Sequence, residues 1–171
     1  KPLRGYFPIM ATPYTSDGEI DLVSVERLVD YLIENGAHGM SPNGGDSEAP
    51  HLSADERNAI IDVVLGTNGG RTPVLVGTSA HTVEETLQLN QHAQKAGADC
   101  VFVHPGWGRS KLSTEEIVDF YDTICSQIEI PVMIHGTADM DLAVVQTLLE
   151  RFPVITYIKE ETSHGPKLRQ Y

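Results

Sequence analysis

Positive charge is scarce in this 171-residue sequence: 12 Lys and Arg stand against 24 Asp and Glu, a formal net charge of −12. Nucleic-acid binding needs a clustered basic surface, and the few cations here are dispersed, so no nucleic-acid partner is expected. Cysteine is scarcer still. Cys100 and Cys125, the only two, lie among apolar neighbours with no CxxC or metal spacing, which reads as reduced, buried small hydrophobes rather than a disulfide framework. No apolar run approaches the roughly 20 residues of a membrane helix. The opening KPLRGYFPIM also lacks the charged, apolar and small-residue succession of a signal peptide, so no membrane partner and a cytoplasmic location are expected. Nucleotide-binding glycine signatures are missing too. Neither GxGxxG nor GxxxxGK[ST] occurs, and no cofactor is expected.

What is present is alternation. Apolar, β-rich runs bounded by Gly, Pro or polar residues occur at 6–11, 38–42, 73–77, 100–104, 131–135 and 154–159, the pattern of six strands. Between them lie five segments of helical spacing, for example Val25, Leu28, Leu32 and Ile33, or Ile60, Ile61 and Val64. Ser53 with Glu56 and Ser113 with Glu116 have capping-box spacing, while Gly36 and Gly97 stand where helices should end. Strict strand and helix alternation about every 30 residues means a parallel sheet with right-handed crossovers. Without a glycine-rich turn after the first strand, a closed (β/α)8 TIM barrel is expected over an open doubly wound sheet, this chain carrying about its first six strands in one domain, 1–171. A barrel takes about 250 residues, so a trimmed or incomplete chain, ending near the start of a sixth helix, is part of that expectation.

In barrels the reactive residues gather at the C-terminal ends of strands, and that is where the unusual polar residues fall: the loop 43–48, His104, His135 and Lys159. Lys159 ends the run Val154–Ile158 and is expected to share a pleat face with Ile155 and Tyr157. An ε-amine desolvated inside a barrel is partly neutral and can attack a carbonyl carbon. The bland alternative is a lysine at a strand end, ion-paired to Glu160 or Glu161. Paired glycines in Asn43-Gly44-Gly45-Asp46-Ser47-Glu48 can turn consecutive N–H groups towards an anion, although a plain Gly-Asp turn reads the same way. His135 suits proton transfer near neutral pH, or a structural role. His104, His135, Asp46 and Glu160 would all lie at one barrel end and could hold a metal, but no HxH or HExxH spacing supports this, and no metal is expected.

Several segments together resemble one family. Gly5-Tyr6-Phe7-Pro8-Ile9-Met10-Ala11-Thr12-Pro13-Tyr14 with Asp17-Gly18-Glu19-Ile20-Asp21, then Pro73-Val74-Leu75-Val76-Gly77-Thr78, Ala96-Gly97-Ala98-Asp99 and Tyr157-Ile158-Lys159-Glu160, are similar to the dihydrodipicolinate synthase and N-acetylneuraminate lyase superfamily of class I, pyruvate-type aldolases. The resemblance implies that Lys159 forms a Schiff base with a 2-oxo acid. It also implies that Gly45, Asp46 and Ser47 bind the substrate, its carboxylate held by main-chain N–H groups, and that the protein is a homo-oligomer, a tetramer or a dimer.

Three departures shape the expectation. The family's GTTGE loop appears as Gly44-Gly45-Asp46-Ser47-Glu48, and the tyrosine ending its fifth strand is His135. The segment Gly136–Met140 does not align with the arginine-bearing stretch that a dihydrodipicolinate synthase uses for its second substrate. Lys159-Glu160-Glu161-Thr162 and Lys167-Leu168-Arg169 look more like the branch of 2-oxo-3-deoxy sugar acid dehydratases. The expected enzyme is therefore a lysine-imine lyase with Lys159 and His135 as catalytic residues. It would act on pyruvate or a related 2-oxo acid by aldol cleavage, condensation or dehydration. Three alternatives stay open: a dihydrodipicolinate synthase proper, a metal-dependent barrel lyase or hydrolase, and a non-catalytic homologue that binds 2-oxo acids.

Overall fold

Helix formation follows the apolar stripes and is fixed at each start by a side-chain cap. In the computed structural model, which describes residues 3–107, 111–136 and 140–161, the helices are α1 (Leu22–Glu34), α2 (Ala54–Asn68), α3 (Val83–Ala96), α4 (Thr114–Cys125) and α5 (Leu142–Arg151). Asp21, Ser53, Thr82, Ser113 and Asp141 each accept a hydrogen bond from the backbone N–H three residues on, which satisfies a donor the helix itself leaves orphaned. Ser53–Glu56 and Ser113–Glu116 close the reciprocal boxes expected from the sequence. Gly97 caps α3 at a φ of 96°, a left-handed conformation that residues with a Cβ avoid. The segment 167–169, expected near a sixth helix, lies outside the described residues. No described helix is long and apolar enough to cross a membrane.

Four strands form one parallel sheet in chain order: β1 (Leu75–Gly77), β2 (Cys100–Val103), β3 (Val132–His135) and β4 (Ile155–Lys159). The first two expected strands are present only as extended segments, tied in by the parallel bridges Ile9–Ser41 and Met40–Val74. Proline explains the thin ladder. Pro8, Pro42 and Pro73 have no N–H to donate, although their carbonyls accept from Ser41, Gly77 and Met40.

Helix neighbours also follow chain order, α1 on α2, α2 on α3, α3 on α4 and α4 on α5. An open doubly wound sheet reverses its strand order and carries helices on both faces. Strands in strict order under one continuous helix layer form instead the wall of a (β/α)8 barrel, and this chain makes part of that wall.

Strand alternation divides the side chains between two clusters. Val76, Val101, Val103, Val132, Ile134 and Ile155 face the helices and pack with Val29, Ile61, Ile117 and Leu148 in the main core. Leu75, Cys100 and Phe102 face the barrel interior with Ile9, Met133 and Tyr157. Burial and nearby Asp99 push the Cys100 thiol up to about 12, and burial with Asp122 does the same for Cys125, so both stay protonated and behave as hydrophobes.

The alternation breaks once. Val132 pairs with Ile155 but Met133 pairs with Tyr157, which leaves Thr156 as an extra residue in β4. Such a bulge reverses the phase of one side of the strand. Ile155 therefore faces the helices, and the expectation that it shares a face with Lys159 is corrected. Tyr157 and Lys159 do share the inner face, which delivers the lysine to the interior beside Phe102.

Candidate active site

His135 ends β3, Lys159 ends β4, and the two are register partners on the inner face. The Gly136 N–H donates to the Lys159 carbonyl at 2.8 Å, which fixes the pair at the strand ends. Lys159 Nζ lies 2.7 Å from Glu161 Oε1, and Glu161 Oε2 lies 2.7 Å from His135 Nε2. One carboxylate thus spans both nitrogen bases. The lysine sits 5.1 Å from the centroid of the Phe102 ring, a cation–π distance. The His104 ring meets His135 edge to face at 5.3 Å between centroids.

Burial first, then the charge of Lys159, lowers the pKa of His135 below the ordinary histidine value, with His104 acting in the same sense and Glu161 opposing them. The imidazole is consequently neutral at neutral pH. Its contact with an ionised Glu161 requires the hydrogen on Nε2 and leaves Nδ1 basic. For Glu161, burial pushes upward, but hydrogen bonds and charge from Lys159 and His135 hold it below the usual carboxylate range. It is a carboxylate at neutral pH.

Opposite this pair, residues Gly45–Ser47 form a single 3-10 turn. The Ser47 hydroxyl donates to the Met10 carbonyl at 2.5 Å and accepts the Gly44 N–H at 3.0 Å, while Thr12 Oγ1 donates to the Ser47 carbonyl at 2.6 Å. The N–H groups of Gly45 and Asp46, first in the turn, have no acceptor within it. Gly45 lines a cavity of about 130 Å³ together with Ser79, Phe102, His104, Trp107 and His135. Lys159 lines a second, of about 320 Å³, on the inner face with Phe102, Met133 and Tyr157. Phe102 borders both. A larger cleft of about 390 Å³ lies at the N-terminal ends of α3 and α4 and contains none of these strand-end residues.

The fold therefore brings Lys159, His135 and Gly45 together around Phe102, with His104 beside them. Asp46 is exposed and lines neither cavity. Ser47, expected as a substrate ligand, is buried with its hydroxyl engaged in holding the loop, so its side chain acts on the loop's shape. Among the described residues no group of three or more His, Cys, Asp or Glu is arranged to hold a metal ion. The tail beyond Glu161 and residues 137–139, both part of the sequence argument, lie outside the described residues.

Two residues escaped the sequence reading. Glu161 was visible only as an ion-pair option for Lys159, yet it follows Lys159 by two positions, the spacing of one strand face. Arg57 is only 4% exposed and donates to the carbonyls of Ser79 at 2.8 Å and Gly77 at 3.0 Å, while its own carbonyl accepts from Asn43 Nδ2. Burial lowers its pKa to about 10, against the pull of Glu85, so it stays charged. Arg57 thus ties two loops together, its guanidinium holding the end of β1 and the loop after it and its main-chain carbonyl holding Asn43 in the loop after the second extended segment. Gly77 allows their close approach, because a Cβ there would lie 2.2 Å from the Asn43 carbonyl oxygen. The signal was spacing: Arg57, Ile60, Ile61 and Val64 share one buried helix face.

Comparison with known proteins finds relatives along nearly the whole chain. A sequence profile of the dihydrodipicolinate synthetase family matches residues 2–168. The 4-hydroxy-tetrahydrodipicolinate synthase of Rhizobium meliloti (strain 1021) is 29% identical over 93% of this chain and 55% of its own length. YagE of Escherichia coli (strain K12), named provisionally as a 2-dehydro-3-deoxy-D-gluconate aldolase, is 32% identical over 96% of this chain and 56% of its own. The crystal structure of YagE in complex with pyruvate superimposes with a TM-score of 0.91 over 97% of this chain and 57% of that one. A dihydrodipicolinate synthase crystal structure, 25% identical, gives 0.92 over 98% and 59%. The chain spans little more than half the length of the relatives it matches.

Proposed function

Given that the chain belongs to the dihydrodipicolinate synthetase family, we propose that Lys159 forms an imine with pyruvate or a related 2-oxo acid and that the full-length protein is a lyase. The observation that carries this reading is the placement of Lys159 on the inner face, across the strand register from His135 and over Phe102. The main-chain N–H of Gly45, the turn residue that lines a cavity with His135, holds the substrate carboxylate, an interaction that suits a chain with few cations. The exposed Asp46 side chain leaves its own charge in solvent, where screening limits its repulsion of that carboxylate.

Once formed, the iminium withdraws electrons from C3 and so permits cleavage or formation of the C3–C4 bond, or loss of a C3 proton before dehydration. His135, neutral and hydrogen-bonded through Nε2, serves as the general base at its free nitrogen. The polar row His104, His135 and Glu161 supports a substrate with hydroxyls beyond C3, hence a 2-oxo-3-deoxy sugar acid, over the amino-aldehyde that a dihydrodipicolinate synthase condenses. The enzyme works as a cytoplasmic homo-oligomer, a tetramer or a dimer, in this reading.

The test is borohydride reduction of the full-length protein with pyruvate and with a 2-oxo-3-deoxy sugar acid, followed by intact mass. A covalent adduct absent from Lys159→Ala is expected. Properly folded protein that gives no adduct with either compound removes the imine reading.

A further inference from the structure

We propose that Glu161 is a catalytic residue, the carrier that moves protons from the Lys159 nitrogen to the oxygen leaving C2, an inference that rests on the imine reading above. Among the described residues, Glu161 is the one hydrogen-bonding partner of Lys159 Nζ, at 2.7 Å. The turn whose Gly45 shares a cavity with His135 offers no substitute hydroxyl, since Gly45 and Asp46 carry none and that of Ser47 is spent on Met10 and Gly44. The second oxygen of Glu161 reaches His135 at 2.7 Å. With 54% of its side chain exposed against 24% for Lys159 and 19% for His135, the carboxylate also forms the side of the site that can exchange protons with water.

The step balances. Lys159 enters as an ammonium with three protons, the iminium nitrogen keeps one, and the other two leave with the carbonyl oxygen as water. Glu161 takes the first proton, freeing the nitrogen lone pair to attack C2, and returns it to the oxyanion as the carbinolamine forms. It then takes the second from nitrogen and delivers it to the hydroxyl. The C2–O bond breaks, the C2=N bond forms, Glu161 is again a carboxylate, and nothing is oxidised or reduced. A carboxylate suits the task because the ion pair that positions the lysine is also the path by which a proton can leave its nitrogen.

An ion pair with no catalytic part makes the opposite prediction, because removing the carboxylate would then free the amine. The experiment is a time course of borohydride trapping with pyruvate on the full-length protein, comparing wild type with Glu161→Gln, Glu161→Asp and Lys159→Ala, each checked by thermal melting. Glu161→Gln is expected to reach the wild-type adduct yield about 100-fold more slowly at pH 7, the range of one lost general acid–base group. The deficit should shrink as pH rises and hydroxide takes over the proton removal, and Glu161→Asp should recover at least about tenfold of the rate. Trapping in folded Glu161→Gln as fast as wild type or faster, or an Asp variant no better than Gln, overturns the proposal. A wild type that gives no adduct overturns the imine reading beneath it, and is distinguished because all variants are then silent alike.

Discussion

The two faces of the same strands differ sharply. On the helix side, Val101, Val103, Val132 and Ile134 are fully buried and apolar from one strand end to the other. On the inner side, Leu75, Cys100, Phe102, Met133 and Tyr157 are apolar too, but the last residues of the strands change to His135 and Lys159, with His104 directly after β2. A period of two lets one short strand serve both purposes. The outer face supplies stability; the inner face, once past Phe102, is released from packing and holds ionisable groups at positions that the sheet makes rigid.

A charge moved to the wrong face should do the most damage. Ile134→Lys places an unpaired cation in the outer core, and a loss of more than about 4 kcal/mol is expected, enough to leave little folded protein in denaturant titration. Lys159→Met on the inner face should keep the melting temperature within a few degrees and abolish adduct formation altogether. Equal damage from the two would show that the faces are not divided as described.

Arg57 tests what holds the loops at the boundary. Arg57→Met keeps the stem but leaves the carbonyls of Gly77 and Ser79 without their donor, at a cost of about 2–3 kcal/mol. Adduct formation should slow as well, because Gly77, whose N–H donates to the Pro42 carbonyl just before the Gly45 turn, loses the guanidinium that holds it. A variant as stable as wild type would show that water replaces the guanidinium. Ser53→Ala, far from the chemistry, removes one capping box and should cost about 1 kcal/mol with no change in trapping rate.

The smallest expected effect is one of pH. His135 and Glu161 both bind protons less readily in the folded protein than their ordinary values imply. Their contribution is complete above the unfolded histidine value and is lost as pH falls, first through His135 and then through Glu161. Melting temperature should fall between pH 7 and pH 4, and His135→Gln should flatten the upper part of that decline. An unchanged profile in the variant would assign the acid sensitivity to other carboxylates.

The helices and their caps were legible in the sequence because they rest on contacts three or four residues apart, as Ser53 and Glu56 show. Lys159 and His135 were legible as strand ends for the same reason of local pattern. The bulge at Thr156 was not, since it exists only in the pairing of β4 with β3. Nor was the use of the Ser47 hydroxyl, which depends on Met10, 37 residues away. Glu161 escaped because a carboxylate two residues from a lysine is ordinary on a surface and becomes special only when His135 lies at its other oxygen. The loop motif was read for its chemistry, whereas its side chains turn out to shape the backbone and leave the donors to the main chain.

In the proposed mechanism everything rests on a reactive amine at the inner strand end of β4. Peptide mapping of full-length protein reduced with borohydride in the presence of pyruvate tests it most directly. One modified peptide is expected, with the adduct on the Lys159 side chain and on no other lysine. A folded protein whose Lys159 peptide remains unmodified, whether or not other lysines react, would contradict it.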